Sequence, residues 1–211
     1  LLAAWDNKGL PTLKEFQGFL VPALIALMLG LVFRIRRPAF ATLRQSEALL
    51  VTTAAWLTTG VLGSIPFILV LQIPVVDALL ESVSGFTTAG TTMLTGLDML
   101  PRSILIWRAI TQWLGGLGIL LIILLVSQSQ GSKALSLLNA EGVKVSSGRL
   151  SLNFRHAASR FTAIYIVLTL SQIVLTAFLG MSLFDAVAHA MTTISTGGFS
   201  PHDESIAFYR N

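Results

Sequence analysis

The chain has 211 residues, 54 % of them apolar and only 11 % charged, with no cysteine and a formal net charge of +4. Soluble domains carry about 25 % charged residues, so at a mean hydropathy of +0.77 much of this surface faces lipid rather than water. The missing thiols exclude disulfides and thiolate metal sites, and a basic balance on so apolar a chain points to cytoplasmic loops, not nucleic acid.

Four stretches are long and apolar enough to cross a bilayer: 16–33, 48–71, 103–126 and 161–181. A span takes about 20 residues at ~1.5 Å rise each. The first is at the short end and contains Pro22. It reads as a span rather than a signal peptide, because Arg34, Arg36 and Arg37 follow it at once, with no basic leader before it and no small-residue cleavage site after it.

Charge orients the spans. Residues 34–47 and 127–160 hold nine Lys/Arg against Glu47 and Glu141, a net of +7. The opposite side holds five Lys/Arg against eight acids, a net of −3. By the positive-inside rule the first group is cytoplasmic. Residues 72–102 must therefore start and finish outside, yet 78–86 is mostly apolar. As a helix it would be ~14 Å long, about half the hydrocarbon thickness. A half-length helix followed by the Thr/Gly-rich run Thr87-Thr88-Ala89-Gly90 predicts a re-entrant loop.

The pattern recurs at a constant offset of 108 residues. Asp77/Asp185, Ala78/Ala186, Thr88/Thr196 and Gly90/Gly198 coincide, and span 48–71 overlies 156–179. Each unit reads span, short apolar segment, Thr/Gly loop, span, so successive units share one orientation and form a parallel repeat. Asp77 and Asp185 stand where each half-helix should begin and are expected to cap it and to complement its positive end. The opposite end, with its partial negative charge, would point at the membrane centre and favour a cation. Irregular backbone at that depth must be buried or line a water-filled cavity. Carbonyls and hydroxyls of Thr87, Thr88, Ala89, Gly90, Ser195, Thr196, Gly197 and Gly198 could replace a cation's hydration shell. Neither loop holds a carboxylate, which favours a large, weakly hydrated monovalent ion over a divalent one.

These residues resemble the Trk/Ktr/HKT superfamily of potassium transporters, and within it the N-terminal part of the bacterial Trk-type membrane subunit. The resemblance rests on Ser84-Gly85-Phe86-Thr87-Thr88-Ala89-Gly90-Thr91-Thr92, Leu94-Thr95-Gly96-Leu97-Asp98, Trp107-Arg108, Gln112-Trp113-Leu114-Gly115-Gly116-Leu117-Gly118-Ile119, Gly180-Met181-Ser182-Leu183-Phe184-Asp185-Ala186 and Thr196-Gly197-Gly198-Phe199-Ser200 with His202-Asp203. Ala140-Glu141 stands where the family has a short cytoplasmic motif. Ala89 departs from a commoner Thr.

The resemblance implies an all-α polytopic membrane protein of potassium-channel-like units, each a helix, a pore half-helix, a filter loop and a helix. It implies potassium uptake across the cell (inner or plasma) membrane, with K+ as the transported ion bound at the filter residues. No covalent cofactor, transition metal or enzymatic activity is expected. Gly90 and Gly198 match the filter glycines. The implied partners are the lipid bilayer, a second copy in a homodimer, and a cytoplasmic nucleotide-binding regulatory ring. The expected division is an extra transmembrane helix in 1–44, a first pore repeat in 45–130, a cytoplasmic linker in 131–155, and a second repeat in 156–211 that stops before its exit helix. On that reading the chain is one part of a four-unit pore.

Other readings carry less. His156, His189 and His202 have no ligand spacing, and nothing sets a nucleophile beside a base. His189 is expected to pack or bond to backbone. Gly115, Gly116 and Gly118 are expected to let helices approach closely. Arg108 is expected to snorkel from the outer end of its span, or else to pack near the loops. A non-transporting scaffold or receptor segment, or a transporter of another small solute, are the alternative functions.

Overall fold

The computed structural model describes residues 12–35, 45–140 and 148–209. The basic residues at 36, 37 and 44, the Ala140-Glu141 motif beyond Ala140, and Lys144 lie outside them. The described residues form six α-helices: α1 (Leu13–Ile35), α2 (Gln45–Pro66), α3 (Val75–Phe86), α4 (Arg102–Ala140), α5 (Gly148–Phe178) and α6 (Leu183–Ile194). Four helical segments are long and apolar enough to cross a membrane: Leu13–Ile35, Leu50–Leu71, Arg102–Leu124 and His156–Phe178. The molecule is thus an all-α polytopic membrane protein.

Each helix boundary has a local cause. Thr12 and Glu15 form a capping box at the start of α1: the Glu15 amide donates to Thr12 Oγ1 (3.3 Å) and the Thr12 amide to Glu15 Oε1 (3.4 Å). At the end of α2, Pro66 has no N–H to give and its ring crowds the preceding turn. The chain widens there into a π-helical turn, Phe67–Leu71, and leaves it through Gln72 in the left-handed region (φ 56°). α4 runs 39 residues, about 58 Å, so it outlasts a ~30 Å hydrocarbon core. Helix therefore continues to Ala140 and resumes at Gly148. The expected boundaries at 130 and 155 fall within helix, and only 141–147 of the expected linker lies between helices, outside the described residues.

α3, between the second and third spans, and α6, after the fourth, are half-length helices, 12 residues each and about 18 Å long. α3 packs on α2 and α6 on α5, the same relation in both units, while α4 packs against α3, α5 and α6. α1 lies along α2 and the π turn, where a Cβ on Gly18 would stand 2.6 Å from Val70.

In lipid, apolar burial drives little association, and close packing and interhelical hydrogen bonds act instead. Phe67, Ala78 and Ile104 interlock α2's end, α3 and α4. Leu105, Ile106 and Ala109 of α4 meet Phe184 and Ala188 of α6. Ser82 donates to the Gly60 carbonyl (2.7 Å) and Trp107 Nε1 to the Gly63 carbonyl (3.1 Å). Trp113 Nε1 donates to Thr169 (3.1 Å), and the Tyr165 hydroxyl donates to the Trp113 carbonyl (3.0 Å). Each such bond contributes roughly 0.6 kcal/mol in a membrane.

Candidate functional site

The two Thr/Gly loops share one backbone. Each half-helix ends with two crossing hydrogen bonds of a Schellman motif. In the first, the Thr88 amide donates to the Gly85 carbonyl (2.9 Å) and the Ala89 amide to the Ser84 carbonyl (3.0 Å). In the second, the Thr196 amide donates to Thr193 (2.9 Å) and the Gly197 amide to Thr192 (2.8 Å). The residue that turns left-handed is glycine in most such motifs, but here it is Thr88 (φ 57°) and Thr196 (φ 56°). Gly90 (φ 75°) and Gly198 (φ 83°) turn left-handed two residues later. A β-branched residue at positive φ costs about 1–2 kcal/mol. Such strain persists where the surroundings over-determine it.

The alternation of negative and positive φ along each loop keeps successive carbonyls from pairing with their own chain. Among the described residues, no hydrogen bond is donated to the carbonyls of Thr88, Ala89, Gly90, Thr196, Gly197 or Gly198. They follow the C-terminal ends of α3 and α6, where the helix dipole is negative. The loops stand side by side: a Cβ on Gly90 would collide with the carbonyl oxygen of Gly197. Below them, Thr88, Ser195 and Thr196 border a cavity of about 610 Å³ whose walls include Gly116, Leu120 and Tyr165.

Two side-chain expectations change. The hydroxyls of Thr87 and Ser195 turn back into their own helices, Thr87 onto Val83 (2.7 Å) and Ser195 onto Met191 (2.9 Å). They tie down the helix end, and the hydroxyls of Thr88 and Thr196 are the ones left without a protein acceptor among the described residues. Asp77 and Asp185 are not the caps. The N-caps are Pro74, which makes no side-chain cap bond, and Ser182, whose Oγ accepts from the Asp185 amide (3.2 Å). Both aspartates sit three residues inside, in the first turn, where a carboxylate still complements the dipole. The Ser-Leu-Phe-Asp start explains the shift at α6, since serine is a favoured N-cap; at α3 the chain enters the helix through Pro74 with no side-chain cap.

α4 supplies the floor against which both loops are set. A Cβ on Gly115 would strike the Phe86 carbonyl, and one on Gly116 would come within 3.0 Å of Ser195 and Tyr165. The glycines thus let α4 touch the ends of both half-helices. A Cβ on Gly118 would make only ordinary contact with Trp56.

Arg108 does not snorkel. It is 1 % exposed and pairs through Nε with Glu81 (2.6 Å), itself 0 % exposed. Its other nitrogens donate to the Ser200 carbonyl (3.0 Å) and Thr92 Oγ1 (3.1 Å), and the guanidinium lies 4.2 Å from the Phe199 ring centre. One turn further, Gln112 Oε1 accepts from the Phe199 amide (3.1 Å). Sequence reasoning missed Glu81, Thr92 and Gln112. A second carboxylate, in the middle of a mostly apolar half-helix, was the available signal, but its partner lies 27 residues away.

On the outer side, His202 bonds through Nδ1 to Asp98, and its Nε2 lies 3.3 Å from Asp185 Oδ1 without hydrogen-bond alignment. Tyr209 donates to Asp185 Oδ2 (2.5 Å). The His202 hydrogen bond holds the Asp98 carboxyl below the usual carboxylate range. Burial, with Asp185 beside it, pushes the Tyr209 phenol up. His189 is buried and packed, with its Nε2 unpartnered among the described residues.

Comparison with known proteins identifies the family. The family model described as "TrkH: Cation transport protein" matches residues 15–211. The Trk system potassium uptake protein TrkH of Escherichia coli (strain K12) is 35 % identical over 170 residues, 79 % of this chain and 35 % of that protein. The TrkH of Halomonas elongata is 33 % identical over 198 residues, 92 % of this chain and 41 % of that one. A crystal structure of the potassium transporter TrkH from Vibrio parahaemolyticus superposes with a TM-score of 0.66 at 30 % identity, covering 94 % of this chain and 44 % of the solved one. The chain therefore spans well under half the length of these relatives. With nearly all of its residues inside one family model and the twin half-helix loops in place, the chain belongs to the TrkH family of cation transport proteins.

Proposed function

We propose that the protein takes part in potassium uptake across the cell membrane, its two loops forming two walls of a cation filter. Thr87, Thr88, Ala89, Gly90, Ser195, Thr196, Gly197 and Gly198 offer backbone oxygens, while the hydroxyls of Thr87 and Ser195 anchor the loops to their half-helices. The observation that carries this is the repeated left-handed Thr and left-handed Gly, with carbonyls unpaired among the described residues, in two loops that touch. Free carbonyls at membrane depth cost several kcal/mol each unless water or an ion takes them up. A single-file monovalent cation does so without a carboxylate. The full pore has four such units around one axis, two copies form a dimer, and a cytoplasmic nucleotide-binding ring regulates it. These three features follow the family resemblance.

The test substitutes serine for each filter glycine in the intact transporter. Gly90→Ser meets a left-handed φ and the Gly197 oxygen, and Gly198→Ser meets a left-handed φ. A strain of about 1.4 kcal/mol corresponds to a tenfold loss in ion affinity. In a host deficient in potassium uptake, both variants are expected to slow growth at limiting potassium or to admit more sodium. Unchanged growth and ion preference in both would mean that the loops serve packing alone.

A further inference from the structure

The filter carbonyls belong to loops, yet nothing within a single unit fixes how one loop stands relative to the other. α4 of the first unit does this. From one face it extends Arg108 and, four residues later, Gln112, and both reach the second unit's loop just past its glycines. Arg108 donates to the Ser200 carbonyl (3.0 Å) and lies 4.2 Å from the centre of the Phe199 ring, while Gln112 accepts from the Phe199 amide (3.1 Å). The same guanidinium holds Glu81 of the first half-helix (2.6 Å) and Thr92 on the outgoing limb of the first loop (3.1 Å). Thr92 in turn donates to Glu81 (2.8 Å) and accepts from the Leu94 amide (3.1 Å). Every guanidinium nitrogen is engaged, and Arg108 and Glu81 are both essentially inaccessible to solvent.

We propose that Arg108, with Glu81, Thr92 and Gln112, is an inter-unit clamp that fixes the spacing of the two filter loops and thereby sets the preference for potassium over sodium. These are positioning residues, because none supplies an ion-facing oxygen in the arrangement described above. The inference rests on the filter reading and goes beyond it. Selectivity among carbonyl ligands depends on how many can converge and how freely they can close on a smaller ion. A loop whose outgoing limb is pinned cannot close. The geometry also requires arginine. A planar fork reaches three acceptors at fixed angles, whereas a lysine ammonium is a point charge that could hold Glu81 but not Thr92 and Ser200 together.

The experiment uses the full-length transporter in membrane vesicles and compares initial rubidium and sodium uptake, each with its KM, alongside thermal stability of the detergent-solubilised protein. Arg108→Lys keeps the charge beside Glu81, so the protein is expected to fold and transport with its preference for potassium reduced about tenfold, the loss of one charge-assisted hydrogen bond. Thr92→Val leaves the ion pair and removes only the hydroxyl bridge, and is expected to shift the preference in the same direction. Thr92→Ser restores it. Folded Arg108→Lys and Thr92→Val proteins with wild-type ion preference would overturn the clamp, and so would a Thr92→Val protein that fails to fold, since the group would then be a folding element only. If Arg108→Lys alone fails to fold, Thr92→Val against Thr92→Ser decides. Failure of the filter reading is distinguishable, because Gly90→Ser would then leave ion preference unchanged as well.

Discussion

Thr88 and Thr196 carry the local tension of the site. Each is β-branched, each sits at positive φ, and each terminates a half-helix in the position where glycine is the relaxed choice. Strain of this kind survives when the side chain is needed, and among the described residues their hydroxyls lack protein acceptors while those of Thr87 and Ser195 are bonded back to the helix. Thr88→Gly is therefore expected to stabilise the protein by about 1 kcal/mol, read as a higher Tm in detergent, while weakening potassium-dependent uptake. Thr88→Val keeps the strained backbone and loses the hydroxyl, so it is expected to weaken uptake with no gain in Tm. Equal uptake in both variants and the wild type would assign the threonine a packing role. The Gly90 and Gly198 signals were legible in the sequence as a repeat at one offset. The threonine φ was not, because intrinsic preference argues against it and only the surrounding helices impose it.

Among the elements, α4 does the most with the least conspicuous residues. Gly115 and Gly116 bring its backbone against the ends of α3 and α6, so an added methyl has backbone atoms to displace rather than a yielding side chain. Overpacking of that type costs about 1–3 kcal/mol. Gly115→Ala is expected to lower thermal stability measured by fluorescence-detected size exclusion, whereas Gly30→Ala on α1, with nothing within 4 Å of the new Cβ, should leave it unchanged or higher given alanine's better helix propensity. Equal losses at both sites would contradict the packing account. Helix existence and the half-length segments were readable from apolar run length. The π turn after Pro66 and the extension of α4 to Ala140 were not, because proline announces a disturbance without specifying its form, and polar helix beyond a span has no hydropathy signature.

At the scale of the molecule, the orientation follows from Lys/Arg counts, and these 211 residues contain no cysteine, so single cysteines introduced among them in an otherwise cysteine-free protein test it. Met99, 90 % exposed beside the outer turn, replaced by cysteine is expected to react with a membrane-impermeant maleimide on intact cells. A cysteine at Lys133 is expected to react only after permeabilisation. The reverse pattern would invert the topology. The acidic outer surface would also raise the local cation concentration at the loops.

Hydropathy, charge asymmetry and the 108-residue repeat by themselves determined a membrane protein with two re-entrant Thr/Gly loops, because span length, backbone satisfaction in lipid and glycine's freedom act on residues near one another in the chain. The tertiary structure alone decided what holds those loops at a common spacing. Glu81 meets Arg108 across 27 residues, and Arg108 meets Ser200 across 92. A charge inside a span names its need for a partner, but which carboxylate and which carbonyl it reaches depends on how α3, α4 and the second loop pack, and local sequence does not encode that packing.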